Sequence, residues 1–403
     1  MEETDIPEST PRRRGLPKGK SPRKVALIVE AQVAPRRMML TGVARYIQEH
    51  EPWLIYLKPH GVEKSLESWF RDWRGDGIIA AVHDAEALGA AHGVPIVDVV
   101  GAFRRDDVAV VRTNDHTVGK LGAEHLLERG FRNFAFCERE TQRWSEQRRI
   151  GFAETVGAMG FKCDTYVMPL PSMMGGPAEW ERQQRRLAKW LQDLPKPVGI
   201  MATHDLMGQQ LLEACARLAI DVPEQVAVIG ADNDEPICRI STPPLSSVII
   251  NDHQRGYEAA AVLDRMMSGQ GAPKEIVYVE PAGVAPRAST DIMAIEDEVI
   301  VKALRILREH ACDGIGVNDV VAEVPVSRSV LERRFRKVVG RSINHEIVRV
   351  RINKAIELLT DTNLELKVVA ARAGFGTQAY MNAVFQAKLN KTPGSFRKAR
   401  IDT

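Results

Sequence analysis

Cysteine is scarce in this chain of 403 residues, which has five cysteines, at positions 137, 163, 215, 238 and 312. The count is odd, and no two cysteines are separated by only two residues. This pattern excludes a disulfide framework and a zinc site built from closely spaced cysteine pairs. We therefore expect the protein to work in a reducing compartment.

Long apolar runs are missing as well. No stretch approaches the roughly 18 consecutive apolar residues of a membrane-spanning helix. The first residues, MEETDIPESTPRRRGLPKGKSPRK, lack the apolar core of a secretion signal. We expect a cytoplasmic protein with no membrane partner. Residues 1–23 are predicted to be a disordered tail, whose arginine run at 12–14 either contacts DNA phosphates or is simply solvated.

The motifs of several common enzyme classes are also absent. There is no GxGxxG after the first predicted strand, no GxxxxGK[ST], no GxSxG and no HExxH. His83 and His204 each follow a predicted strand, but neither has a second metal ligand at a suitable spacing. We therefore expect no enzyme, and the sequence predicts no catalytic residue, no metal site and no cofactor.

The net charge is small but unevenly distributed. The whole chain carries +2, whereas residues 290–403 hold 19 Lys and Arg against 14 Asp and Glu. A basic end on a nearly neutral body favours contact with nucleic acid by one module of the chain.

Residues 24–282 alternate between short apolar runs and amphipathic helical segments. Runs that are apolar on both faces predict parallel sheets covered by helices on both sides. The strand-like runs lie at 24–30, 53–59, 77–82, 95–100, 133–137, 165–170, 198–203, 226–231 and 245–250. Because this stretch is too long for one small doubly wound domain, we predict a two-lobed α/β core with a ligand cleft at the carboxyl ends of its strands.

The pattern changes near residue 282. Residues 283–294, rich in Pro, Gly, Ser and Thr, are predicted to be a linker, and residues 295–403 an all-α domain. Short helices at 317–323 and 366–373 each precede a second helix, at 328–338 and 377–388. Ser327 and Thr377 are suitable N-caps for the two second helices. This predicts two helix-turn-helix units in tandem, able to reach successive major grooves.

Two segments of this domain resemble the AraC-type DNA-binding domain: VSRSVLERRFRKVVGRSI at 326–343 and RVRINKAIELLTDTNLELKVVAARAGFGTQAYMNAVFQAKLNKTPGSFRKAR at 349–400. The resemblance implies that exposed side chains of both second helices contact DNA, since Arg can bind guanine and Gln or Asn can bind adenine. The implied residues are Arg328, Ser329, Glu332, Arg333 and Arg336 in the first helix and Gln378, Ala379, Asn382 and Ala383 in the second. For each, the alternative is an exposed solubilising side chain. Arg334, Arg336 and Lys337 are expected to contact phosphate or nothing.

The chain departs from that family at two places. Ala379-Tyr380-Met381 stands where a serine-tyrosine-phenylalanine run is usual, which leaves the base specificity open. Asn390 stands where glycine is usual before Lys391. Asparagine tolerates the left-handed backbone conformation, so we expect the helix to end there as it does in the family.

The α/β region resembles the periplasmic-binding-protein-like core of LacI-type repressors. The resemblance is carried by VDVV at 97–100, VVRTNDHTVGKLGAEHLL at 110–127, RRIGF at 148–152, ATHD at 202–205, VIGADN at 228–233 and PPLSSV at 243–248. A core of this kind followed by an AraC-type domain is similar to the xylose operon regulators of the XylR type. The segment from VAVIGADNDEPIC to TPPLSSV, at 226–248, resembles that group in particular.

The resemblance implies a sugar site in the cleft. Arg148 would donate hydrogen bonds to sugar hydroxyls, Asp205 and Asp232 would accept them, and Asn233 could do either. Alternatives remain open: Asp232 could instead cap a helix, and Arg148 could form a surface salt bridge. Trp144 and Phe103 are candidates for stacking on the sugar, with core packing as the alternative.

These resemblances imply a sequence-specific transcription regulator controlled by a small sugar, D-xylose by analogy with the family. The expected partners are operator DNA, the sugar, a second copy of the chain in a homodimer and RNA polymerase. Activation of pentose-utilisation genes is the expected outcome, and repression stays open as the alternative. Another pentose, a hexose or an oligosaccharide product stays open as the effector. The alternative is a free sugar-binding receptor or a sugar enzyme with a helical appendage, for which the sequence shows neither a secretion signal nor a catalytic motif.

Overall fold

A computed structural model of the chain describes residues 21–29, 34–57, 66–81, 93–101, 105, 107–169, 176–292, 297–362 and 364–398. Within these ranges no helix has the length and apolarity that a membrane crossing requires. Residues 1–20 of the tail predicted at 1–23, His83 and Phe103 lie outside the described residues, and Arg23, at the end of that predicted tail, already belongs to the first strand.

The N-terminal lobe is built on a parallel six-stranded sheet. Its strands are β1 (Arg23–Ile28), β2 (Trp53–Leu57), β3 (Gly77–Ala80), β4 (Ile96–Asp98), β5 (Val108–Thr113) and β11 (Val277–Val279), and their order across the sheet is β11-β5-β4-β3-β1-β2. Strands β3, β4 and β5 are buried along their whole length because helices cover both faces of the sheet. The covering helices are α1 (Ala34–Glu49), α2 (Leu66–Asp72) and α8 (Asp252–Met267).

The C-terminal lobe is built on a second six-stranded sheet. Its strands are β6 (Asn133–Arg139), β7 (Cys163–Met168), β8 (Val198–Ala202), β9 (Val226–Ala231), β10 (Ser246–Ile249) and β12 (Gly283–Ala285). Their order across the sheet is β12-β10-β9-β8-β6-β7, and β12 is antiparallel to β10. Its helices are α3 (Asp115–Leu127), α4 (Arg143–Ala158), α5 (Pro177–Asp193), α6 (Asp205–Arg217) and α7 (Glu235–Ile240). The predicted two-lobed α/β core is confirmed.

The chain passes between the lobes three times, after β5, after β10 and after β11. The first and third crossings are joined, since Asn114 Nδ2 donates to Glu280 Oε1 over 2.8 Å. Because both lobes present the carboxyl ends of their parallel strands to these crossings, the cleft of the core opens beside them.

The helical domain follows the core and has two hydrophobic centres, one for each half. Phe335 lies in the first and Phe385 in the second, and both are fully buried. Its helices are α9 (Glu298–His310), α10 (Val317–Ala322), α11 (Arg328–Val339), α12 (Ile343–Asp361), α13 (Leu366–Arg372), α14 (Gln378–Leu389) and α15 (Pro393–Lys398). The predicted pair of helix-turn-helix units is confirmed, with α12 joining α10–α11 to α13–α14.

The predicted linker at 283–294 differs from the structure. Residues 283–285 form the edge strand β12, and Ala288–Thr290 form a turn of 3-10 helix. Ser289 and Thr290 are fully buried, and Ser289 Oγ donates to Val228 O over 2.6 Å. This segment belongs to the C-terminal lobe as far as its described end at Ile292, because its polar groups are satisfied by that lobe.

Ion pairs attach the helical domain to the C-terminal lobe. On α9, Arg305 pairs with Asp221 at 3.3 Å, and Arg308 pairs with the buried Glu224 at 2.5 Å. On α12, Arg349 Nη1 donates to Asp291 Oδ2 over 2.5 Å. The contacts are made by residues from both ends of the first helix-turn-helix half, so they fix its orientation on the lobe.

Candidate functional site

A cavity of about 570 Å³ lies between the two lobes, within the size range of small-molecule sites. Residues from both lobes line it: Arg36, Ala81, Val99, Val100, Arg112, Thr113, Asp115, Arg139, Gln142, Trp144, Arg148, His204, Asp205, Leu206, Asp232, Asp234, Ile237, Ile250 and Arg255. The lining combines guanidinium donors and carboxylate acceptors with one indole ring, a set that suits a polyhydroxylated ligand.

Arg148, a buried residue of α4, lines this cavity. The helix packs closely against α3. A Cβ atom added at Gly119 of α3 would lie 1.8 Å from the backbone oxygen of Arg148, so the approach requires glycine there. Arg148 Nε donates to Asp115 Oδ1 over 3.0 Å, and its Nη1 donates to Thr203 O over 2.6 Å and to Asp232 Oδ1 over 3.1 Å. The arginine is therefore an internal bridge across the strand ends, and the surface salt bridge considered from the sequence does not describe it.

The two aspartates around Arg148 differ in their surroundings. The Asp115 side chain is 7% exposed, whereas that of Asp232 is 22% exposed and faces the cavity. Burial alone would lower the pKa of Arg148, but Asp232 and Asp115 raise it above its ordinary value. Burial raises the pKa of Asp232 despite the attraction of Arg148. Asp232 thus combines a fixed position with an accessible acceptor oxygen.

Asp205 lies in the cavity wall at the start of α6 and is almost fully buried. Its Oδ1 accepts from Ser247 Oγ over 2.6 Å, and its Oδ2 accepts from the backbone N–H of Asp234 over 2.7 Å. Burial and then the charge of Asp232 raise the pKa of Asp205. Both oxygens already have partners in the protein, so Asp205 shapes the loop after β9 in addition to any contact with a ligand.

Asn233 does not line the cavity, contrary to the expectation that it contacts the sugar. Its backbone has a φ of 53° and follows Asp232, whose φ is 106°. These positive angles turn the Asn233 side chain away from the cleft, and its Oδ1 accepts from Arg287 Nη2 over 2.7 Å. Asparagine fits the position because it tolerates the left-handed conformation.

Several cavity residues were not predicted from the sequence. Arg112 and Asp115 belong to the quoted motif at 110–127, but no role had been assigned to them. Arg255 comes from α8 and forms an ion pair with Asp252. Among the residues that the structure describes, the Nε atoms of Arg112 and Arg255 have no hydrogen-bond partner and are buried, while other atoms of both side chains line the cavity.

Trp144 does line the cavity. Its ring lies against Arg148, with 4.9 Å from the guanidinium carbon to the ring centroid, and its Nε1 donates to Gln142 Oε1 over 3.1 Å. His204 caps α6, since its Nδ1 accepts from the backbone N–H of Met207 over 3.1 Å. Burial and two nearby arginines lower the pKa of His204 to about 3. His204 is thus a neutral capping group.

The first candidate DNA-contacting surface is the outer face of α11. Arg328, Ser329, Arg333 and Arg336 are exposed and Glu332 is half-buried, as expected for contact with DNA. Arg328 donates to Glu332 Oε1 and to Asn318 Oδ1, each over 2.9 Å. Ser327 occupies the predicted N-cap position, but its side chain makes no capping hydrogen bond.

Arg334 does not lie on this surface. It pairs with Asp297, which itself caps α9, and its Nε donates to Asp297 Oδ2 over 2.7 Å. The phosphate contact considered for Arg334 is therefore not supported, whereas Arg336 and Lys337 remain on the exposed face. One arginine of α11 is structural, and its neighbours are available to DNA.

The second candidate surface is the outer face of α14. Gln378, Ala379, Asn382 and Ala383 are all exposed, while Met381 and Phe385 are buried on the opposite face. The Thr377 side chain accepts from the backbone N–H of Tyr380, as predicted for an N-cap. Asn390 ends the helix in the left-handed conformation with a φ of 55°, so the substitution for glycine preserves the turn.

Family models match the chain along most of its length. A periplasmic binding protein and LacI-family sugar-binding domain matches residues 24–174, and a periplasmic binding protein-like domain matches residues 123–290. A helix-turn-helix domain matches residues 320–399. These matches agree with the two sheets and with the tandem helix-turn-helix units described above.

Similar proteins share the whole arrangement. The xylose operon regulatory protein of Escherichia coli K12 is 33% identical over 384 residues, which cover 93% of this chain and 96% of the relative. The protein of the same description from Haemophilus influenzae is 29% identical and is covered to 98%. A solved structure described as the xylose-binding transcription activator xylR superposes with a TM-score of 0.78 at 31% identity, covering 94% of this chain and 98% of that one.

Proposed function

The chain belongs to the family of the xylose operon regulatory proteins, which are sugar-sensing, DNA-binding transcription regulators, and we propose that the sugar it senses is D-xylose, bound in the interlobe cleft. The description of the similar solved structure as xylose-binding supports this choice of sugar. The relatives are transcription regulators, which supports the expectation that this chain is not an enzyme.

The bridge formed by Arg148 carries the proposal. A buried guanidinium fixed between Asp115 and Asp232 presents donors and an acceptor at one spot of the cavity. Sugar hydroxyls both donate and accept, so they can bond both the accessible carboxylate of Asp232 and the guanidinium groups that line the cavity. Each hydroxyl left unpaired in such a site costs about 1–3 kcal/mol, which gives the site its selectivity.

Trp144 supplies the apolar part of the proposed site. Its ring forms a wall of the cavity beside Arg148, and the C–H face of a pyranose can pack on such a surface. Arg148, Asp232 and Trp144 are the residues that we assign to sugar contact. Asp205 holds the loop after β9, which carries Asp232.

For the DNA-binding surfaces we propose the exposed residues of α11 and α14 named above. Arg333 and Arg336 would contact guanine or phosphate, and Gln378 and Asn382 would contact adenine. The exposure of these side chains and the match to a helix-turn-helix domain at 320–399 support the assignment.

We further propose that the chain acts as a homodimer in the cytoplasm and contacts RNA polymerase as an activator. The similar solved structure is that of a transcription activator, which supports activation as the sign of regulation. The competing hypothesis is a free receptor or a sugar enzyme. It explains neither the exposed faces of α11 and α14 nor the ion pairs by which Arg305 and Arg308 attach the helical domain to the core.

Thermal and urea unfolding of the purified protein with single monosaccharides tests the effector. At 100 times its dissociation constant a ligand adds about 2.7 kcal/mol to the free energy of unfolding. We expect this increase with D-xylose and a smaller one with L-arabinose, D-ribose or D-glucose. Equal stability with and without D-xylose would refute xylose as the effector.

A further inference from the structure

We propose that the hydrogen bond between Asn233 and Arg287 transmits the state of the sugar cleft to the DNA-binding domain, through the 288–291 segment and the Asp291–Arg349 ion pair. This inference rests on the proposed function, because it describes how sugar at Asp232 alters DNA binding.

The first step of this path lies at the cleft. Asp232 faces the cavity and bonds Arg148, and Asn233 follows it directly. Both residues have a positive φ, so the loop is held in a conformation that few side chains adopt. A ligand that moves Asp232 therefore also reorients Asn233, whose backbone N–H is anchored to Ser247 Oγ over 3.0 Å.

The second step is Arg287, whose side chain is 16% exposed. Its Nη2 donates to Asn233 Oδ1 over 2.7 Å and to Glu235 Oε2 over 2.5 Å, and its Nη1 donates to Leu245 O over 2.9 Å. One guanidinium thus links the loop after β9 to the start of β10 by hydrogen bonds. Because the acceptors diverge, a lysine ammonium could not reproduce all three bonds.

The third step is the chain segment that Arg287 begins. Ser246 Oγ accepts from the backbone N–H of Arg287 over 2.7 Å and lies 2.7 Å from Thr290 Oγ1. Arg129 Nε donates to Thr290 O over 2.8 Å. The 3-10 turn Ala288–Thr290 is therefore packed as one unit with Arg287, and a shift of the guanidinium is passed to the residue that follows the turn.

That residue is Asp291, which carries the last step. Its carboxylate accepts from Arg349 on α12, and Arg349 is held in turn by Glu346. The helix α12 joins the two helix-turn-helix units, and its Arg351 donates to Ala311 O and Ile315 O in the segment between α9 and α10. A displacement of Asp291 thus acts on the element that sets the spacing of α11 and α14.

The test uses the full-length protein with Asn233→Gly, Arg287→Ala and the double variant. Glycine at 233 keeps the φ of 53° while it removes the side chain. The matched control is Arg239→Ala, which removes another guanidinium from the same Glu235 carboxylate, bonded there over 2.6 Å. The DNA probe is a duplex selected from a random pool by the unsubstituted protein in saturating D-xylose.

Two quantities are measured for each variant: the dissociation constant for D-xylose by calorimetry, and the DNA affinity with and without D-xylose. Coupled sites typically change each other's affinity by about 5–150-fold. We expect Asn233→Gly and Arg287→Ala to retain the affinity for xylose within about threefold but to lose most of the change in DNA affinity that xylose causes. The double variant should lose no more of that change than either single variant, because both residues act in the same step. Arg239→Ala keeps the factor.

Either of two results would overturn the proposal. One is full xylose dependence of DNA binding in Arg287→Ala, and the other is loss of xylose affinity in both single variants, which would place the pair in the sugar site itself. If the unsubstituted protein does not bind D-xylose, the proposed effector is wrong, and the physical link is then decided by hydrogen exchange without sugar. We expect the amides of 289–291 to exchange about tenfold faster in Arg287→Ala than in Arg239→Ala, and equal rates would refute the link.

Discussion

The guanidinium of Arg148 lies over the ring of Trp144 at the wall of the interlobe cavity, with 4.9 Å from its central carbon to the ring centroid. The two residues are four positions apart on α4, so one helical turn presents both to the same ligand. The arginine supplies the donors and the indole the apolar surface. Their separate contributions can be measured.

For Arg148 we expect the replacement by Ala to weaken D-xylose binding by about 100-fold or more, because two charge-assisted hydrogen bonds are lost. Without sugar, the free energy of unfolding in urea should fall by about 3 kcal/mol, because Asp115 and Asp232 lose the cation between them. Arg149→Ala is the control, since Arg149 follows Arg148 on the same helix and pairs with Glu138 of β6 at 2.8 Å. Equal effects of the two changes would contradict the assigned role.

For Trp144 we expect the replacement by Ala to reduce the affinity for D-xylose by about tenfold while the free protein stays folded. In the unsubstituted protein, bound sugar should change the tryptophan fluorescence, and that change should disappear in Trp144→Phe. Trp190, which donates to Asp164 over 2.7 Å in the same lobe, gives the control Trp190→Phe. A signal that follows Trp190 instead would remove Trp144 from the site.

The pH dependence of stability tests His125, which lies beneath the 288–290 turn. Its Nε2 lies 2.8 Å from Thr290 Oγ1, and its Nδ1 lies 3.1 Å from Arg129 Nη1. Burial and then Arg129 lower the pKa of His125 to about 3. Because the folded-state pKa lies below the unfolded value of about 6.5, this contribution to stability is complete above that pH and is lost as the pH falls below it.

As the pH falls from 7 to 5, this histidine should therefore lower the free energy of unfolding by up to about 2 kcal/mol. His125→Gln should reduce the loss of stability over that interval by a similar amount, measured by urea unfolding at both pH values. The control is His116→Gln, since His116 is exposed on the same helix and pairs with Glu154. An unchanged pH slope in His125→Gln would show that the ring is not held neutral.

We expect opposite results from replacing two neighbouring arginines of α11, Arg333 and Arg334. Arg333 is exposed, so Arg333→Ala should lower the affinity for the selected duplex by about tenfold or more, with relaxed specificity if it reads a base or a shallower salt dependence if it contacts phosphate. Arg334 pairs with Asp297, so Arg334→Ala should leave the DNA affinity unchanged and reduce stability. Filter binding at several salt concentrations distinguishes them, and reversed effects would mean that α11 presents another face to DNA.

On α14 we expect Asn382→Ala to relax the sequence preference at one base pair of the second half-site, at a cost of about 1–3 kcal/mol. Gln386→Ala is the control, because Gln386 is exposed further along the same helix and lies 3.4 Å from Asn390. Competition against single-base variants of the duplex measures the preference. Retained preference in Asn382→Ala would leave this position with only a solubilising role.

Much of the fold could be predicted from the sequence. Buried strands such as Val226–Ala231 are apolar at every position, and amphipathic helices separate them, so the pattern permits little except covered parallel sheets. The helical domain was equally accessible, because its caps and buried positions recur at fixed spacing. The short strands were not: Val277–Val279 was missed, and Gly283–Ala285 was assigned to a linker. Three residues at a sheet edge give no detectable alternation.

The cavity was only partly predictable. Arg148 and Asp232 were found because they belong to motifs of one lobe, and the structure brings them to 3.1 Å. Arg112 and Arg255 were overlooked because they enter from other elements, and proximity of that kind is not encoded in local spacing. Asn233 was misassigned because the positive φ angles of the loop, which reverse its side chain, cannot be read from residue types alone.

The edge strand Gly283–Ala285 has a practical consequence for building hybrid regulators. A recombination point at residue 282, where composition suggests a spacer, would leave a transplanted sensor without the strand paired to β10 and without the buried Ser289. A recombination point after Ile292 would transfer the sensor with these contacts intact. The incoming helical domain would then need its own counterparts of Arg305, Arg308 and Arg349 to dock on the lobe. The two domains can therefore be exchanged only if their contact surfaces remain complementary.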